Sequence, residues 1–118
     1  MNGHVAWMLE LAVKPGELDN FKAVVNEMIE STRAEPGTLM YEWSIDEDGG
    51  VLHGYERFSD SGAAVAHLSA FGEKFAQRFL AAVDPTRVSV YGTPSDDAKQ
   101  ALAAFGPAYL TPVGGFAR

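Results

Sequence analysis

The sequence contains no cysteine. That removes a disulfide framework, a thiolate-bound zinc or iron–sulfur centre and a cysteine nucleophile from consideration, and it agrees with a reducing, cytoplasmic location. Basic residues are few: nine Lys and Arg stand against sixteen Asp and Glu, for a net charge of −7. A surface of that sign repels phosphate backbones, so no nucleic-acid partner is expected. Arg33, Arg57, Arg78, Arg87 and Arg118 are scattered and form no cluster that would reverse the field locally. No apolar run approaches the roughly 20 residues that span a bilayer, and the start MNGHVAWMLE lacks the basic-then-apolar order of a signal peptide. The glycine pairs at 49–50 and 114–115 do not lead from a strand into a helix as a phosphate loop does, and no serine sits in a nucleophile elbow. Histidines number three, none paired at helical spacing; His4 and His53 lie on strand patterns beside acids. A metal site needs about three converging ligands, so no metal is expected.

What the chain does contain is enough for one compact domain: 118 residues, 47% of them hydrophobic. Residues 4–14 alternate Val5, Trp7, Leu9, Leu11 and Val13 on one face and read as a strand that Pro15-Gly16 ends. Residues 17–33 carry Leu18, Phe21, Val25, Met28 and Thr32 at helical spacing. Pro36 keeps Glu35 out of helical geometry. Residues 38–46 form a second strand with Leu39, Tyr41, Trp43 and Ile45 on one face, and residues 51–58 a third in which Leu52, Gly54, Glu56 and Phe58 alternate with Val51, His53, Tyr55 and Arg57. The acidic Asp46–Gly50 link makes these two an antiparallel hairpin. Ser59 or Asp60 can cap a second helix with the stripe Ala64, Leu68, Phe71, Phe75, Phe79 and Ala82, bent near Gly72 and closed by Asp84-Pro85. Residues 87–92 complete the set as a fourth strand.

The order strand–helix–strand–strand–helix–strand is an α+β, ferredoxin-like βαββαβ sandwich, with a four-stranded antiparallel sheet and both helices on one face. The other face would stay bare. A second copy of the chain closing two sheets into a barrel is the expected cover, so a homodimer is expected. Residues 1–92 then form the domain, and residues 93–118 add a helix starting at Pro94-Ser95-Asp96-Asp97 and a tail that packs on the domain or its partner.

Three patterns in this frame, VKPGELDNF at 13–21, EPGTLMYEW at 35–43 and YERFSDSGAAVAHL at 55–68, resemble the antibiotic biosynthesis monooxygenase superfamily of dimeric α/β-barrel proteins. The resemblance covers about residues 4–92. It implies a pocket between sheet and helices in each subunit, with the family's helix histidine matching His67 and its strand carboxylate matching Glu56. It also implies one of several activities: cofactor-free oxygenation of phenols and quinols, haem degradation or isomerisation. The sequence departs from many relatives at Phe58, often Trp, and at Phe71, often a second His; both departures count against haem or metal chemistry.

Apart from the resemblance, His67 lies at the edge of a helix stripe where its ring can reach a helix–sheet pocket or merely bond a neighbour. Glu56 is an acid among apolar residues and needs a partner. Trp7, Tyr41, Trp43 and Tyr55 read either as ordinary core or as walls of a slot for a flat aromatic molecule, to which Phe71 is added. The expected constellation is His67 and Glu56 as proton-transfer pair with these aromatics around a small phenolic or aromatic substrate, in a monooxygenase needing no flavin or metal. An isomerase or lyase using the same pair, or a non-catalytic dimer binding a small apolar ligand, are the alternatives.

Overall fold

The computed structural model describes residues 3–118. Strand β1 (Val5–Val13) runs through the middle of the sheet, and helix α1 (Leu18–Arg33) follows. The hairpin β2 (Thr38–Ile45) and β3 (Val51–Phe58) comes next, then helices α2 (Ser61–Lys74) and α3 (Ala76–Ala82) and strand β4 (Val83–Gly92). Helix α4 (Asp96–Leu102), a short 3-10 turn at Ala103–Phe105 and strand β5 (Ala108–Leu110) close the chain. The sheet order is β2-β3-β1-β4-β5. β1, β2, β3 and β4 pair antiparallel, and β5 runs parallel to β4, with Ser89 opposite Ala108. The ferredoxin-like α+β frame is therefore present, but with a fifth strand. No sequence period marks so short a strand as Ala108–Leu110; the edge of β4 supplies its hydrogen-bond partners.

Three boundaries differ from the sequence reading. Asp84-Pro85 does not end a helix but lies inside β4. The register between β1 and β4 shifts after Glu10, so that Leu11 faces Pro85 and Thr86 is the extra residue. Proline has no N–H to give a ladder and is tolerated at such a bulge. The Thr86 hydroxyl instead donates to the Glu10 carbonyl at 3.0 Å. The break between α2 and α3 falls at Phe75 (φ −129°), not at Gly72. One glycine costs a helix interior about 1 kcal/mol and does not by itself interrupt it. Finally, a bulge between Thr38 and Met40 takes Leu39 off the face it was expected to share with Tyr41 and Trp43, leaving it half exposed.

The helix-facing side of the sheet holds two packed clusters. Leu11, Leu52 and Val83 meet Phe21, Val24, Val25 and Met28 of α1 and Phe79 and Ala82 of α3. Val5, Trp7, Phe58, Val88 and Val90 meet Ala64 of α2 and Leu102 of α4. Asp60 caps α2 by accepting the Ala63 N–H at 2.8 Å, and Ser95 caps α4 through the Ala98 N–H at 3.2 Å. Helix α4 thus packs into the core through Ala98 and Leu102, while Val113 and Phe116 of the tail stay exposed. On the opposite side of the sheet Val51 and Tyr55 are exposed, and Glu10 meets His53 at 3.3 Å. No helix among the described residues is long and apolar enough to cross a membrane.

Candidate active site

Three elements bring His67, Glu56 and Glu35 together. His67 lies on α2 one turn beyond the buried Ala64 and is itself only 5% exposed. Alternation along β3 turns Glu56 to the helix side between Gly54 and Phe58, where it is 3% exposed. Glu35 occupies the turn after α1, where the following Pro36 disfavours a further helical residue. Gly37 lets this turn lie against α2, because a Cβ there would come within 2.5 Å of the Ala63 Cβ. The turn is tied down by the Glu35 N–H to the Thr32 carbonyl at 2.9 Å and by the Ser59 N–H to the Gly37 carbonyl at 2.9 Å.

The imidazole is held from both edges. Nδ1 lies 2.9 Å from Glu35 Oε1, which also accepts the Thr38 hydroxyl at 2.8 Å. Nε2 lies 3.0 Å from Glu56 Oε1. That second contact is close but out of line with the ring N–H, so Glu56 Oε1 completes no hydrogen bond. Burial is the largest single influence on His67 and disfavours its charged form, but Glu56 and Glu35 together outweigh it and hold the pKa above the ordinary 6.5. The site is thus a row of two acidic side chains on opposite edges of one imidazole, an arrangement that favours a proton on the ring and can pass protons between His67 and Glu56. Among the described residues no group of three His, Asp or Glu side chains is disposed to hold a metal ion; the two carboxylates flank opposite edges of one ring.

Glu56 and His67 open onto a cavity of about 30 Å³ between sheet and helices. Its walls are Trp7 and Leu9 of β1, Tyr41 and Trp43 of β2, Met28, Leu68, Phe71 and Phe79 of the helices, and Leu102 and Phe105 of the C-terminal segment. Trp7, Tyr41 and Phe58 surround the imidazole, with ring centroids 6.4, 5.4 and 5.1 Å from it. Trp43 packs directly on Gly54: a Cβ on Gly54 would come 2.6 Å from the indole. Burial foremost, and then the charge of Glu56, pushes the Tyr41 pKa well above 10, so its phenol stays protonated.

Of the residues singled out from sequence, His67, Glu56, Trp7, Tyr41, Trp43 and Phe71 all line this one cavity. Tyr55 does not. It neighbours Glu56 in β3, so its side chain points to the other face of the sheet, where it is 45% exposed. The residue that sequence reasoning missed is Glu35, read only as the point where a helix stops. Its signal was present in the Glu-Pro-Gly-Thr run, where the proline fixes the turn and a threonine three residues on anchors the carboxylate.

Solved structures share this architecture. MupZ from Pseudomonas fluorescens is 28% identical, with a TM-score of 0.88 over 100% of this chain and 91% of that one. Rv0793 from Mycobacterium tuberculosis is also 28% identical, with a TM-score of 0.61 over 79% of this chain and 96% of that one. SnoaB from Streptomyces nogalater, a cofactor-independent oxygenase, is 15% identical and shares the fold with a TM-score of 0.67 over 79% of this chain and 95% of that one. No curated protein sequence matches. Residues 5–70, which contain β1, Glu35, Glu56 and His67, match the sequence model for antibiotic biosynthesis monooxygenases, and the chain belongs to that family.

Proposed function

We propose that the chain is a cofactor-independent monooxygenase acting on a small phenolic or quinol substrate. The observation that carries this reading is the Glu35–His67–Glu56 row, two members of which, His67 and Glu56, line a small aromatic-walled cavity. Glu56, backed by His67, takes the phenolic proton. The resulting phenolate is electron-rich and passes an electron to dioxygen; recombination at an open ring carbon forms the new C–O bond. Loss of water from that peroxide breaks the O–O bond and leaves a carbonyl. One oxygen atom stays in the quinone product, and the other leaves as water with the phenolic and ring hydrogens, so the substrate supplies every electron. The protein contributes orientation, proton transfer and a dry site. The fold shared with a cofactor-independent oxygenase supports the same reading.

A cavity of about 30 Å³ holds ordered water but not a ring; ligand pockets are roughly 300 Å³ or more. Entry therefore needs a wall to move, and the C-terminal segment bearing Leu102 and Phe105 is the wall that follows the last antiparallel strand, β4. The open sheet face, with Val51 and Tyr55 exposed, is the surface on which a second copy would sit. Light scattering is expected to give the dimer mass; a monomer at micromolar concentration would remove this part of the proposal.

Oxygen uptake tests the chemistry. With a panel of hydroquinones and dihydroxynaphthalenes, uptake is expected from the unmodified protein and is expected to disappear in His67→Ala. Equal uptake by both proteins would mean autoxidation. Turnover of a carbonyl compound without oxygen consumption would instead favour an isomerase using the same row, since the row alone suffices for proton transfer.

A further inference from the structure

Among the described residues, three buried side-chain atoms have no hydrogen-bond partner: Tyr41 Oη, Trp43 Nε1 and Glu56 Oε1. Buried polar groups are nearly always paired, because an unmade hydrogen bond costs stability. All three of these residues line the same cavity. The set is also chemically ordered. An indole N–H can only donate, and an ionised carboxylate can only accept. Tyr41 is kept as the protonated phenol by its burial and by the nearby negative charge of Glu56, so it too offers an O–H. Thr32 and the Trp43 indole come near Tyr41 Oη, and neither completes a hydrogen bond to it.

The backbone register explains why the three converge. Tyr41 stands directly opposite Glu56 across β2 and β3, and Trp43 stands opposite Gly54, the next residue pair on that face. The two rings meet edge to face, with centroids 5.7 Å apart and planes at 82°. Residues carrying two unpaired donors and one unpaired acceptor thus border a single small cavity.

We propose that the Tyr41 hydroxyl and the Trp43 indole N–H form an oxyanion-binding pair that holds the substrate's reacting oxygen while its proton passes to Glu56. This inference rests on the monooxygenase reading above and narrows the substrate to a phenol or enol whose own oxygen ionises in the site. The substrate O–H breaks, the proton goes to the Glu56 carboxylate and the electron pair stays on the oxygen that the two donors hold. Donors left free in the empty protein can meet charge as it develops without first breaking another hydrogen bond. A molecule with no oxygen at this point would leave both donors unpaired and be disfavoured, and one whose oxygen carries no proton would give Glu56 nothing to accept.

The probe is 4-nitrophenol. Its absorbance reports ionisation, and its electron-poor ring resists oxidation, so binding is read without turnover. In Tyr41→Phe and in Trp43→Phe, the apparent pKa of the bound phenol is expected to rise by about one unit relative to the unmodified protein, with phenolate affinity about tenfold weaker. The methyl ether 4-nitroanisole has no proton to yield and offers only a neutral acceptor, so its affinity is expected to fall less in Tyr41→Phe than that of the phenolate. Tyr41→Phe removes only an unpaired buried hydroxyl, so its ligand-free Tm is expected to rise by a few degrees. Variants that ionise 4-nitrophenol as the unmodified protein does, or a lowered Tm in Tyr41→Phe, would overturn the inference, as would no binding to the unmodified protein at millimolar concentration. Normal ionisation without oxygen uptake on any quinol would remove the monooxygenase reading and leave the donor pair standing.

Discussion

Glu56→Gln is expected to lower turnover by about 10²–10⁴-fold on any substrate the protein oxidises, the range set by removal of a positioned proton-transfer group. Glutamine keeps the volume, so the 3%-exposed position stays filled, but the proton-accepting carboxylate and its charge are gone. The second consequence appears in the stability of the empty protein. His67 binds its proton more tightly folded than unfolded, since Glu56 and Glu35 outweigh its burial and hold its pKa above 6.5. The stabilisation from this row is therefore complete below pH 6.5 and is lost as pH rises through the raised native pKa. In Glu56→Gln one of the two opposing carboxylates is missing, burial weighs more, and the decline above pH 6.5 is expected to shrink. Oxygen-uptake kinetics and thermal melts from pH 6 to 9 read both effects. Turnover equal to that of the unmodified protein would take Glu56 out of the chemistry.

Trp7→Ala is expected to destabilise the fold by about 3–5 kcal/mol, the usual cost of emptying a large aromatic site, against a total of about 5–15 kcal/mol for a domain. Trp7 is 1% exposed and sits on the central strand β1, opposite Glu56 on β3 and Val90 on β4. Its ring lies 4.5 Å from that of Phe58 and forms one wall beside His67. It therefore belongs to the core and to the cavity at once. Trp7→Phe keeps most of the buried area and separates the two roles: stability is largely retained, and any fall in turnover then reports the wall. Equilibrium denaturation within about 1 kcal/mol of the unmodified protein for Trp7→Ala would show that the site collapses freely and that Trp7 is not a structural anchor.

The legible parts of this fold are those governed by a local period. Alternation marked β1, β2 and β3 because one face of each is apolar, and the three-four spacing from Phe21 to Thr32 marked α1. The misread parts depend on a neighbour. Pro85 signals a break in isolation but enters β4 because Thr86 takes up the extra residue against Glu10. Ala108–Leu110 has no pattern of its own and becomes β5 only beside β4. The site divides the same way. Glu56 stood out as an acid among apolar residues. Glu35 did not, because its meaning lies in a contact with His67, 32 residues away, that no local spacing encodes. Tyr55 was a different error: the alternation of β3 already assigned it to the face away from Glu56.

Gly54 has a bearing on strand pairing itself. A strand of β2's kind can slide by one residue with little loss of backbone pairing, and such a slip would exchange its two faces. Here it would carry Tyr41 and Trp43 out to solvent and bring Glu42 inside. Gly54 is the only residue of β3 without a Cβ, and the Trp43 ring rests on it closer than any side chain would permit. At a neighbouring position the indole would lose its seat on the glycine and stand opposite Tyr55 or His53 instead. One missing methyl group thus acts as an index mark, allowing the hairpin a single alignment and so deciding which groups the interior of the protein contains.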